Sequence, residues 1–437
     1  MDNNEKFEFI KETHKDRPFN KKKFVTKLIV SVSLAVIFGF IAAICFTIGT
    51  HSFEDALYPE KVTPIVIEDI NDTVSEGSWD SSVSLNEDEE DNMESETKET
   101  TETVINTIVE KVDFSISDYE AVYSNMYNIA QEASKSLVLV SGIDSETDWF
   151  DEGFNNSEKG SGLIFADNGK ELLILVNNSI IDTSDIVNIE FSDGEIVEGE
   201  IKRQDSDIDI AVVAIPLANI SASAKSTYKI ATFGSTNIPT IEGKAIIAIG
   251  RPNGYYSSVE YGYITSNSNV QQMTDMDVRM ITTNIDSNLG ASGVIINLRG
   301  RVLGLINNNF VDSDTIRTAN ALSISDIKPL IENMSNDRER AILGIKGMDV
   351  TQRASEELGV PKGAYVTEIV MDSPAMNAGI QSGDIITSID GKDINSFETY
   401  VSTMNEKHPG DICRIKIKRF AQGEYKEVSF DITLGNL

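Results

Sequence analysis

Reactions that attack or activate a bond draw on few side chain types, and histidine and cysteine come first among them. This chain of 437 residues has only His14, His51 and His408, and only Cys45 and Cys413. Two cysteines exclude a disulfide scaffold and a Cys-based structural zinc site. The densest carboxylates, Glu87-Asp88-Glu89-Glu90-Asp91, are consecutive and lack the spaced ligands and central Gly of an EF-hand loop. The sequence therefore implies no metal and no cofactor. Gly290-Ala291-Ser292-Gly293 places one hydroxyl between glycines. A serine is a poor nucleophile without a base to take its proton. The flanking glycines suit a plain turn between strands equally well. Lys244 is a formal candidate for a lysine base, but nothing in the sequence aims it at Ser292.

The elements that would position these residues are short strands between Gly, Asn and Asp turns. They are expected at Leu137–Val140, Gly162–Phe165, Leu172–Val176, Ile186–Phe191, Ile196–Ile201, Ala211–Ile215, Ala245–Ile249 and Val302–Asn307. Strands spaced at roughly ten residues predict an all-β sandwich or a pair of barrels. An amphipathic helix is expected ahead of them, from Tyr119 to Ser134.

The N-terminal part reads differently. Leu28 to Thr50 is 23 residues without a charge. A helix of that length spans ~35 Å, enough for a ~30 Å hydrocarbon core. Arg17, Lys21, Lys22, Lys23 and Lys27 precede it, while Glu54 and Asp55 follow. The positive-inside rule then makes residues 1–27 cytoplasmic and the rest extracytoplasmic, with a single membrane-spanning helix at 28–50. From Glu68 to Thr103 there are 14 acidic residues and one basic residue, Lys98. That composition predicts a disordered acidic tether over 51–117. Over the whole chain, 37 Lys and Arg against 70 Asp and Glu give a net charge of −33. Nucleic-acid binding through a basic surface is thereby excluded.

The order of short motifs carries a resemblance. Gly160-Ser161-Gly162-Leu163-Ile164 is followed by Val176-Asn177-Asn178-Ser179-Ile180-Ile181, and then by Asp207-Ile208-Asp209-Ile210-Ala211. Ala248-Ile249-Gly250-Arg251-Pro252, Gly262-Tyr263-Ile264, Gly290-Ala291-Ser292-Gly293 and Val302-Leu303-Gly304-Leu305-Ile306 complete the series. It resembles the trypsin-like domain of the HtrA/Deg serine proteases, here over 118–311. The resemblance implies a double β-barrel with Asp209 and Ser292 at the catalytic Asp and Ser positions. Gly290 and Ser292 would supply oxyanion-hole N–H groups. The catalytic His position carries Ser179, and a hydroxyl does not act as a base near neutral pH. Val294 stands where the family has a Gly and is expected to crowd the nucleophile.

After a connector over 312–340 with a helix expected at Ile324–Met334, a second series begins. It comprises Ile342-Leu343-Gly344-Ile345, Gly363-Ala364-Tyr365-Val366, Ser373-Pro374-Ala375, Gly383-Asp384-Ile385-Ile386 and Ile389-Asp390-Gly391. It resembles a PDZ domain of the bacterial protease type, over 341–437. That implies peptide binding at Ile342, Leu343, Gly344 and Ile345, whose backbone N–H groups would take a C-terminal carboxylate as the peptide adds a strand.

The fold class expected is mainly β: a transmembrane helix, a trypsin-like double barrel and a PDZ domain. The function expected is that of a pseudoprotease in a bacterial-type membrane, binding peptides or protein C-termini. An active serine endopeptidase with an unrecognised base is the alternative, and an oligomeric scaffold a third. The resemblance also implies a homotrimer, for which Tyr119, Tyr123 and Tyr127 are candidate contacts.

Overall fold

A computed structural model describes residues 63–67, 115–143, 159–311 and 317–436, with scattered positions between 22 and 40. Most of the expected membrane helix and the whole acidic run from 68 to 103 lie outside the described residues. Among the described residues no helix is long and apolar enough to cross a membrane.

Helix α1, Ile116–Ser134, opens the folded part. Its N-terminus is closed by a capping box in which Ser115 and Asp118 bond each other's backbone N–H groups. The first barrel follows, from β1 (Leu137–Ile143), β2 (Lys159–Asp167), β3 (Glu171–Val176), β4 (Ile186–Glu190), β5 (Ile196–Asp205) and β6 (Ile210–Pro216). They close in the order β1-β2-β3-β6-β5-β4. A short helix α2, Ala222–Thr227, leads across to β7 (Ala245–Arg251), β8 (Ser258–Met273), β9 (Met276–Asp286), β10 (Ser292–Asn297), β11 (Val302–Ile306) and β12 (Thr318–Ser323). These close as β10-β11-β12-β9-β8-β7. The expected pair of barrels is present. β12, however, lies in residues assigned to the connector, so the second barrel runs past 311 to Ser323. Helix α3, Ile324–Ser335, follows directly and covers the expected helix.

Both faces of β2 and β3 are buried, which explains their near-continuous apolar runs. Ile164 and Ile174 point into the first barrel. Their neighbours Leu163 and Leu175 join Ile249, Val294 and Leu305 in a layer between the barrels. α1 and α3 cover part of that layer through Ala130, Ile327 and Ile331.

Residues 63–67, read from composition as part of the tether, are docked. Ile65 N–H donates to Asn336 Oδ1 and Asn336 Nδ2 donates to Ile65 O, both at 2.9 Å. Ile67 N–H donates to Glu332 at 2.6 Å. Ile65 and Ile67 pack on the layer between the barrels. Half-burial of these two side chains, with the backbone bonds, offsets ordering cost that a wholly polar tether could not meet.

The last domain contains β13 (Ala341–Ile342), β14 (Ile345–Asp349), α4 (Gln352–Leu358), β15 (Ala364–Ile369), α5 (Pro374–Ala378) and β16 (Ile385–Ile389). It continues with β17 (Lys392–Asp393), α6 (Phe397–Met404), β18 (Ile412–Ala421), β19 (Glu424–Thr433) and β20 (Gly435–Asn436). The main path of its sheet is β14-β15-β16-β18-β19, so β14 is an edge strand. Tyr400 is fully buried in its core, and Cys413 is a buried free thiol.

Candidate active-site cleft and carboxylate loop

The first site grows out of chain ends at the barrel rims. β3 stops at Val176, and Asn178–Ile180 forms one tight turn that presents Ser179. Asp209 precedes β6 in the left-handed region at φ 56°, which Asp tolerates better than most residues. Its Oδ1 accepts the Ser179 N–H at 2.6 Å, and its Oδ2 accepts the Ser179 hydroxyl at 3.1 Å. Two amides from beyond β11 complete the set: Asn307 Nδ2 and Asn309 Nδ2 donate to Oδ2 at 2.8 and 2.6 Å. Asn309 Nδ2 also reaches Ser179 Oγ at 3.1 Å. The carboxylate is thus held by neutral donors, with an amide beside the hydroxyl.

Ser292 opens β10 and is buried, and its Oγ accepts the Ser161 N–H at 2.9 Å. Among the described residues no titratable side chain bonds that hydroxyl. Gly293 has φ 115°, and a Cβ there would lie 2.2 Å from Ile249 O, so only Gly fits next to the serine. A cavity of about 600 Å³ is lined by Ser179, Ile180, Gly290, Ala291, Ser292 and Asn309, among others. A Cβ on Gly160 would meet Ile180 Cδ1 at 1.9 Å and Ser292 Oγ at 3.3 Å, so an apolar methyl and the hydroxyl converge on one spot.

Ser179, Gly290 and Ser292 thus line one cavity, and Asp209 is bonded to Ser179. Val294 does not crowd the serine. It is 1% exposed, in the layer between the barrels. Gly293, at φ 115°, breaks the regular alternation of β10, so Val294 does not follow Ser292 onto the cavity lining. Lys244 sits at the turn before β7 and is not among the cavity's lining residues. Lys159 does line the cavity but is exposed. His408 lies in the turn after α6, its N–H bonded to Asp411. Sequence reasoning missed Asn307 and Asn309. The run Asn307-Asn308-Asn309 directly after an apolar strand was the signal available.

The second site is the loop Ile342-Leu343-Gly344-Ile345. Gly344 has φ 89°, and a Cβ there would lie 2.1 Å from the Ser373 Cβ, so the close approach that requires Gly is to α5's cap. The N–H groups of Leu343, Gly344 and Ile345 all point at the Asp275 carboxylate, at 2.8, 2.8 and 3.1 Å. The Tyr400 hydroxyl donates to it at 2.5 Å. Asp275 belongs to the second barrel, in the two-residue turn Thr274-Asp275 between β8 and β9. Burial pushes its carboxyl above the usual range, opposed by the Tyr400 hydroxyl, the Gly344 and Ile345 N–H groups and Arg340. The loop collects donors on a carboxylate, but it is the internal one of Asp275 rather than a peptide C-terminus. Neither Asp275 nor Tyr400 was singled out in the sequence, because their partners lie far away along the chain.

The trypsin-like peptidase domain family matches residues 160–305, and the PDZ domain family matches residues 341–434. Serine protease Do-like HtrA of Bacillus subtilis (strain 168) is 26% identical over 341 residues, covering 74% of this chain and 73% of its own. Serine protease Do-like HtrB of the same organism is 27% identical over 303 residues, covering 62% and 63%. The periplasmic pH-dependent serine endoprotease DegQ of Escherichia coli (strain K12) is 28% identical over 283 residues, covering 62% and 59%. The chain thus spans less than two thirds of the length of the last two relatives. A solved structure, HtrA-type protease AlgW with decapeptide, superposes with a TM-score of 0.51 at 18% identity. That superposition covers 71% of this chain and 98% of AlgW, a likeness of fold.

Proposed function

We propose, because the chain is an HtrA/Deg homologue with a trypsin-like peptidase domain and one PDZ domain, that it is a pseudoprotease that binds peptides or protein C-termini. The observation that carries this reading is Asp209, whose carboxylate is occupied by Ser179, Asn307 and Asn309. None of these donors is a base that could take the Ser292 proton. The oxyanion role of Gly290 and Ser292 belongs to the same reading, as a remnant that holds a carbonyl without cleaving it. The anchor is Leu28–Thr50, with the barrels and PDZ domain outside the cytoplasm. Relatives named as periplasmic enzymes and the charge asymmetry around the span support that placement. Assembly into a homotrimer would draw on Tyr119 and Tyr127, both exposed on α1.

The test is a fluorophosphonate probe on the full chain in detergent, beside casein cleavage. No labelling of Ser292 and no cleavage are expected. Labelling or cleavage that vanishes in Ser292→Ala would overturn the reading. It would establish the second one, an active serine endopeptidase, which draws on Ser292 standing in a cavity with Asp209 nearby.

A further inference from the structure

We propose that Asp275 is a built-in ligand of the PDZ carboxylate loop, occupying in cis the place of a peptide C-terminus. The proposal rests on the reading of that loop as a peptide site.

Hairpin tips normally stand in water, because a turn carries polar backbone that a core cannot satisfy. The β8–β9 tip is the reverse: Met273, Thr274, Asp275 and Met276 are all buried. The backbone is satisfied across the domain boundary. Asp275 N–H donates to Ile345 O at 2.7 Å, on the edge strand β14. Its carboxylate takes the three loop N–H groups and the Tyr400 hydroxyl. One residue thus offers both an N–H to the strand and a carboxylate to the loop, the pair a terminal residue offers when a peptide adds as a strand. The chain continues through Met276, so the side chain supplies the carboxylate that the main chain cannot.

The tip is also held from behind. Arg340 donates to Thr274 O at 2.6 Å and to Asp205 at 3.1 Å. Thr274 N–H donates to Asp207 at 2.7 Å, and the Thr367 hydroxyl bonds Gln272 at 3.1 Å. These contacts fix the tip at the loop, so the internal carboxylate competes at high effective concentration. A peptide then binds only the fraction of molecules in which the tip has left, and its apparent affinity falls by that fraction.

Asp275→Gly is the test in the full chain, because Gly accepts the left-handed φ of 55° at this turn and removes the carboxylate. Asp275→Asn keeps the shape, and Tyr400→Phe removes one donor without altering the tip. Hydrogen exchange is followed over 341–346, with β3 as a control for the intact fold. The probe is a pool of labelled decapeptides ending in Val, Ile, Leu or Phe, as free acids and as amides. The wild type should protect 341–346, and Asp275→Gly should lose that protection with β3 unchanged. Free acids should bind Asp275→Gly roughly tenfold or more tighter than the wild type, with smaller gains for the other two variants and none for amides. Unchanged exchange over 341–346 in Asp275→Gly would overturn the proposal. Wild-type binding of free acids as tight as the variant's would overturn it too, while leaving the peptide-site reading standing. Lost protection without binding of any acid would sink the peptide-site reading and, with it, the competition.

Discussion

Four hydrogen bonds from serine and asparagine occupy Asp209. Returning an imidazole to position 179 would have to displace the Asn309 amide and pass the Ile180 methyl. Ser179→His alone is therefore expected to leave casein hydrolysis at background, and turnover typical of a serine protease would show the cleft to be ready for its base. Asp209→Ala should destabilise by about 2–4 kcal/mol, since it leaves the Ser179 N–H and two amides without their acceptor and places Ala at positive φ. Asp209→Asn should cost less. Urea denaturation at constant m-value measures both, and a loss below about 1 kcal/mol would mean that water replaces the carboxylate. At this scale the chain order of the motifs was enough to single out Ser179, Asp209, Gly290 and Ser292. It did not show Asn307 and Asn309, whose bonds to Asp209 and Ser179 span separations of about a hundred residues or more. Val294 was misplaced because a motif alignment says nothing about which face of a strand a residue takes.

Among the elements, the β8–β9 hairpin joins the two folded domains, and it carries a titrating group. Asp277, near the start of β9, is pushed up to about 7, first by burial and then by the carboxylates of Asp349 and Asp326. Its Oδ1 is buried without a hydrogen-bond partner. The unfolded chain titrates this group near 3.8. Between those values the folded state binds more protons, so this group's contribution to stability falls as pH rises from about 4 to about 7, and is flat above. Asp277→Asn should raise the melting temperature at pH 8 and leave it nearly unchanged near pH 3.5, below the unfolded value. An equal effect at both would refute the assignment. β3 was legible because Leu172–Val176 is apolar throughout, bounded by Gly169 and by Asn177-Asn178. β8 was not: Thr265-Ser266-Asn267-Ser268-Asn269 reads as a turn cluster by composition. Its pairing with β9 overrides that preference. β12 was missed because its short Thr-Ala-Asn-Ala-Leu-Ser run has weak alternation.

Across the whole molecule, the docked segment 63–67 changes the meaning of everything N-terminal to α1. Its backbone bonds run to Glu332 and Asn336 at the end of α3 and just beyond it. Asn336→Ala should weaken that attachment by about 1–2 kcal/mol, read as faster hydrogen exchange over 63–67, and unchanged exchange there would show the apolar contacts to suffice. Residues 67 and 115 thus belong to one folded unit, and the contacts that hold 63–67 do not pass through the acidic stretch. A protease cut within 68–114 should therefore leave the piece N-terminal to the cut attached to the barrels through 63–67, and Asn336→Ala should make that piece come away more readily. Co-purification of the two pieces after limited proteolysis reads this, and their immediate separation in the wild type would show that 63–67 does not hold once the chain is opened.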